Sequence, residues 1–152
     1  MTKIEKIIWN NLDEIIFQNP NITKEKVFKN ILNDLENNNA LAICDGDLVF
    51  LFKAETPVLT RMHLFSESRT GLKRRFLESG KKVIKYFFDN TNTYKVYGMS
   101  PDKRFARMVD VSGFWKNEGV LTKSFKDKNN NYVDQYIFGV TKEDCDEFMR
   151  KL

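Results

Sequence analysis

The stretch that most restricts the fold is ALAICDGDLVFLFKAETPVLTRMHLFS, residues 40–66. Two apolar runs meet at Asp45-Gly46, a dipeptide that closes tight hairpins, and a third run begins after Pro57. In that third run Val58, Thr60, Met62 and Leu64 fall on one side of a strand, and Leu59, Arg61, His63 and Phe65 on the other. Three consecutive strands are predicted, at 40–45, 47–54 and 58–66. Such a run excludes a helical bundle and demands helices elsewhere in the chain to cover the sheet.

Those helices are legible on either side. Ile4, Ile7, Ile8, Leu12, Ile15 and Ile16 recur at helical spacing over 2–18, and NPN at 19–21 ends the pattern. Thr23 caps a second helix whose apolar face is Val27, Phe28, Ile31, Leu32 and Leu35, so residues 1–38 form a helical N-terminal part. After Gly71 the helical period returns, with Leu72, Phe76, Leu77, Val83, Ile84, Phe87 and Phe88 on one face. A short strand at 94–99 follows, then a helix with Ser100 as cap and Pro101 at its first position, closing at Gly113. Strands at 118–126 and 132–140 flank a polar turn, and Thr141 opens a last helix. The order α-α-β-β-β-α-β-α-β-β-α predicts a mixed α/β (α+β) chain. Its sheet is mostly antiparallel, with helices on both faces. With 152 residues and no repeat or linker, the chain reads as one domain.

Composition narrows the function classes. A net charge of +4 permits an anionic partner without demanding one. The two cysteines, Cys44 and Cys145, make no metal or redox spacing, which fits a reduced, cytoplasmic setting. Cys44 is expected as a small buried hydrophobe. The N-terminal stretch is charged throughout, unlike a signal peptide or a membrane span. One histidine cannot make a zinc set, Asp45 and Asp47 match no calcium loop, and no phosphate-binding glycine motif of the Walker or GxGxxG type is present.

The chemistry-bearing stretch is SESRTGLKRRFL, residues 66–77. Amides at a helix start point outward unpaired, and the helix dipole adds positive charge, so such a turn can hold a pyrophosphate. Arg69, Lys73, Arg74 and Arg75 lie in it, and Lys81 and Lys82 follow. The same residues also describe a solvated basic helix face. His63 has the intrinsic pKa of a general base and equally fits a half-buried strand histidine. Glu67 fits a base acting through a water, or an exposed loop carboxylate. Asp110, Tyr97 and Tyr136 are further candidates. The basic helix with Tyr86, Phe87 and Phe88 leaves a nucleic-acid-binding reading open, although those aromatics continue its apolar face.

The order of elements over residues 40–145 resembles the GNAT superfamily of acetyl-CoA-dependent N-acetyltransferases. PDKRFARMVDVSGFWKNEGVL, residues 101–121, is similar to the family segment in which a helix ends in Gly-Phe, here Gly113-Phe114, before a strand that starts near a glycine, here Gly119. Gly71 matches the first glycine of the family's Q/R-x-x-G-x-G/A loop; Ser68 stands where Gln or Arg is usual and Lys73 where Gly or Ala is usual. Val109 stands at the position of the usual acid, a tyrosine, and the family's first strand has no counterpart before the first helix. The short front and altered loop resemble bacteriophage-encoded members. The resemblance implies acetyl-CoA as co-substrate, held by Phe65, Ser66, Arg69, Gly71, Leu72, Lys73 and Arg74. It implies transfer to an amine-bearing small molecule or protein, with His63 and Glu67 as catalytic residues. It also admits a GNAT-fold protein without catalysis, used for binding or assembly with a phage or host protein.

Overall fold

The computed structural model describes residues 1–13 and 21–152. Within them the chain runs α1 (Lys3–Leu12), α2 (Lys24–Glu36), β1 (Ala40–Asp45), β2 (Leu48–Ala54), β3 (Leu59–Ser66), α3 (Leu72–Asn90), β4 (Lys95–Ser100), α4 (Lys103–Val111), β5 (Lys116–Lys126), β6 (Tyr132–Thr141) and α5 (Lys142–Arg150). This is the order expected from the residue pattern. Ile15, Ile16 and the first two residues of NPN lie outside the described residues. No helix among the described residues is long and apolar enough to cross a membrane.

The strands form one sheet in the order β1-β2-β3-β4-β6-β5. Every neighbouring pair is antiparallel except β3 and β4, which α3 joins by a crossover. Strand alternation then divides the apolar residues between two faces. Leu48, Phe50, Phe52, Met62, Val96, Phe138 and Val140 point to one face, against Phe76, Val83, Ile84, Phe87 and Phe88 of α3, Val109 of α4 and Cys145 of α5. Val49, Leu51 and Phe65 point to the other, against Ile7, Ile8 and Leu12 of α1 and, in part, Val27, Phe28, Ile31 and Leu35 of α2. Thr2 and Thr23 cap α1 and α2 through their side-chain oxygens.

Three local expectations are corrected. Asp45 pairs with Leu48, so the hairpin turn is Gly46-Asp47, with Gly46 at φ +62 as its first residue. Asp102, not Ser100, caps α4: its carboxylate accepts the Arg104 and Phe105 amides, because it reaches two orphan donors where a hydroxyl reaches one. Cys44 is exposed rather than buried, at the turn end of edge strand β1. Cys145 is the buried thiol, and burial pushes it up to about 11.

Candidate active site

The site begins where the sheet splits. β3 and β4 pair only at Leu59–Lys95, Thr60–Val96 and Arg61–Tyr97. Beyond Arg61 and Tyr97 they diverge, each still paired on its outer side, β3 with β2 and β4 with β6. The Val58 carbonyl accepts from Lys95 of β4, and the Leu59 carbonyl accepts from Glu55 on the β2 side. By that alternation the backbone of Leu64 on β3 and of Met99 on β4 faces into the wedge without the other strand to pair it. Asn11 of α1 closes its far end: its amide donates to the Ser66 carbonyl at 2.7 Å and accepts from the Ser66 N–H at 3.4 Å.

The turn after β3 is clamped. Asp47 accepts the Glu67 amide on its carbonyl and the Ser68 amide on its carboxylate, at 3.2 Å each. The Arg75 guanidinium pairs with the same carboxylate, donates to the Ser68 carbonyl at 2.6 Å and reaches the Thr70 carbonyl at 3.1 Å. Asp45, on the other side of the hairpin glycine, accepts from Ser79 and pairs with Lys82 at 3.4 Å, and its carboxyl is lowered first by the Ser79 hydroxyl. Arg75, Ser79 and Lys82 lie at helical spacing on one face of α3. The two aspartates of the hairpin thus fix the height of α3 against the wedge.

Gly71, at φ +62, ends this turn, and α3 opens with no side-chain cap. The first amides of the helix, those of Lys73 and Arg74 among them, are therefore left for an outside acceptor. The basic side chains around them have partners. Lys73 pairs with Asp102 at 3.0 Å, joining the starts of α3 and α4, and Arg74 pairs with Glu78 at 3.2 Å. Burial raises the Asp102 carboxyl, but Lys73 and the Phe105 and Arg104 amides outweigh it and hold the group below its ordinary value. Further along, Lys82 meets Asp45, Lys85 meets Asp89 and Asp146, and Lys81 lies over the Phe148 ring. Phe87 and Phe88 are buried, while Tyr86 turns outward. Much of the basic face of α3 is thus paired with acids of its own neighbours.

On the face of α1 and α2, Lys53, Arg61 and Tyr97 stand side by side across β2, β3 and β4 at the apex of the wedge. His63 follows Arg61 on the same face, opposite Leu51. Burial above all, and then the Arg61 charge, bring His63 down to about 4, so its imidazole is neutral at pH 7. The Tyr97 hydroxyl donates to Glu55 Oε1 at 2.5 Å; burial and that bond push Tyr97 up to about 12. Lys53 is engaged by Asp34 at 2.8 Å. Arg61 Nε is buried with no hydrogen-bond partner.

The structure brings Ser66, Arg69, Gly71, Leu72, Lys73 and Arg74 together around the α3 start. Phe65 turns away from them, into the apolar cluster under α1. His63 lies within β3, whereas Glu67 lies exposed just past its end, four residues on and about 13 Å away by strand rise. Val109 is buried in the core and carries no proton. Tyr136, opposite Ser100, lies on the α3 face of the sheet, on β6 beside β4. The roles of Asn11 and Asp47 are not legible in the sequence, because Ser66 lies 55 positions from Asn11, and Ser68 and Arg75 lie 21 and 28 positions from Asp47; Arg61 is marked by its buried, unpartnered Nε. Cavities of about 660 and 250 Å³ lie elsewhere, between α3 and α5 and beside the β1 edge.

A six-stranded, mostly antiparallel open sheet, split between its one parallel pair and preceded by two helices, is the GNAT fold. No protein-family model and no curated protein matches the chain. Solved structures do. Variants of spermidine N-acetyltransferase SpeG from Vibrio cholerae superpose with TM-scores of 0.69 and 0.72 at 13% and 12% identity, covering 95% of this chain and 94% and 92% of theirs. The same enzyme in complex with CoA and spermine gives a TM-score of 0.69 at 13% identity over 93% of this chain and 89% of that one. A probable acetyltransferase gives 0.63 at 13% identity, over 93% of this chain and 87% of that one. At such identities the likeness is one of fold.

Proposed function

We propose that this chain is an acetyl-CoA-dependent N-acetyltransferase. One observation carries the reading: the unpaired backbone of the β3–β4 wedge and the uncapped start of α3 adjoin each other. CoA is a chain of two amides joined to a pyrophosphate. The amides would pair with the backbone at Leu64 and Met99, and the pyrophosphate would accept from the first amides of α3. Lys73 and Arg74, whose ion pairs are exposed, can turn to the phosphates at little cost. Solved structures of the same fold support the reading, one of them a complex with CoA and spermine.

In this reading the thioester lies at the apex of the wedge, beside Gly98. An amine enters from the α1 face and its lone pair attacks the thioester carbonyl. The C–S bond breaks, and the sulfur leaves as a thiolate. His63, neutral on that face, accepts the amine proton; attack makes the nitrogen positive and acidic, so a weak base suffices. His63 then releases that proton to solvent; Glu67, exposed just past the end of β3, is too far away to take it except through intervening water. Tyr136 supplies the hydroxyl that Val109 lacks. The acceptor is an amine-bearing molecule.

Titration calorimetry with acetyl-CoA and CoA tests this, together with thiol release in the presence of an amine panel. Micromolar binding that weakens on Arg74→Glu, with thiol release on adding amine, is expected. Absence of heat at millimolar acetyl-CoA would remove the enzyme reading.

A further inference from the structure

Three charged side chains, Lys53, Glu55 and Arg61, stand at the apex of the wedge, and two of them are spoken for. Lys53 is paired with Asp34, and Glu55 accepts from Tyr97. Arg61 makes no ion pair among the described residues, and its Nε is buried without a hydrogen-bond partner. A buried guanidinium nitrogen with nothing to donate to is destabilising, so its retention needs a reason. Its fork matches a carboxylate in a way that an ammonium does not.

Position supplies the rest. Arg61 and Tyr97 are the last pair before the strands part. One residue further along β3, about 3.3 Å, the wedge is open. An amine at the apex therefore lies within a short molecule's length of the Arg61 side chain. We infer that Arg61 is a specificity-determining residue that holds a carboxylate on the acceptor, so that the acceptors are amino acids or similar small amino-carboxylates. The inference rests on the acetyltransferase reading and deepens it. A polyamine offers only positive charge to Arg61 and Lys53 and is a poor acceptor here, in contrast to the enzyme whose fold this chain shares.

The test compares glycine, L-alanine and L-glutamate with their α-amides and with spermidine, by thiol release from acetyl-CoA. The acids are expected to exceed the amides and spermidine by about tenfold or more in kcat/KM. Arg61→Met is expected to bring that ratio near one, and Arg61→Lys to keep part of it, with acetyl-CoA affinity by calorimetry unchanged in both. If Arg61→Met does not fold, the ratio in Arg61→Lys decides. Equal use of acid and amide by the wild type, a preference for spermidine, or an equal loss for acid and amide in the variants overturns the assignment. Failure to bind acetyl-CoA at all is a different result: it removes the acetyltransferase reading and this one with it.

Discussion

Arg75 on α3 and Asp47 in the β1–β2 turn are 28 positions apart in the chain, yet together they hold every turn of backbone between β3 and α3. The aspartate takes amides, the arginine takes carbonyls, and the two neutralise each other. Arg75→Ala leaves the half-buried Asp47 carboxylate without its counter-charge and should lower stability by about 2–3 kcal/mol in urea unfolding. Arg75→Lys keeps the charge but loses the fork, and should recover only part. A change below about 0.5 kcal/mol for Arg75→Ala would show that the clamp is redundant.

Lys73 pairs with Asp102 beside the uncapped start of α3, the proposed phosphate site. Asp102 also caps α4. Asp102→Ala should cost about 1 kcal/mol through the lost cap, whereas Asp102→Asn should cost little, because asparagine caps as well. Asp102→Asn frees Lys73, and acetyl-CoA should bind about two- to fivefold more tightly, since an exposed pair is worth under about 1 kcal/mol. Weaker binding by Asp102→Asn would mean that the pair shapes the site rather than competing for it.

His63 gives stability a dependence on pH of known sign. Its folded value, about 4, lies below the unfolded value of 6.5, so between those two the unfolded chain binds the extra proton. Its contribution is complete above about pH 6.5 and is lost as pH falls toward 4. From pH 7.5 to 5 the wild type should lose about 2 kcal/mol on this account. His63→Leu should lack that loss. Parallel curves for the two proteins would contradict the burial of the imidazole.

Gly98 is needed for packing. A Cβ there would stand 2.8 Å from Phe138 Cζ and 3.5 Å from the Met62 carbonyl. Gly98→Ala should destabilise by about 1–3 kcal/mol through overpacking, and Phe138→Leu should relieve part of that in the double variant. Additive losses, read from a double-mutant cycle of melting curves, would separate the two residues.

The residue pattern alone determined the elements and their order. Alternation in 40–66, the helical period after Gly71 and the caps at Thr23 and Thr141 are local properties, set by backbone geometry and nearest neighbours. The GNAT architecture followed from that order, and Gly71 marked the turn. What the tertiary structure decided was which groups remain unsatisfied. Ser68 and Thr70 turned out to be tied by Asp47 and Arg75, the basic face of α3 to be matched by its own acids, and Phe65 to face away from its neighbours in the site. Burial and the neighbouring Arg61 moved His63 far from its intrinsic pKa. Arg61 itself reads in the sequence as one more exposed strand cation. Only the tertiary packing, and the engagement of Asp34 and Glu55 by other partners, leaves its Nε buried and unmatched. Desolvation and pairing depend on residues brought together from distant parts of the chain, and no local pattern encodes them.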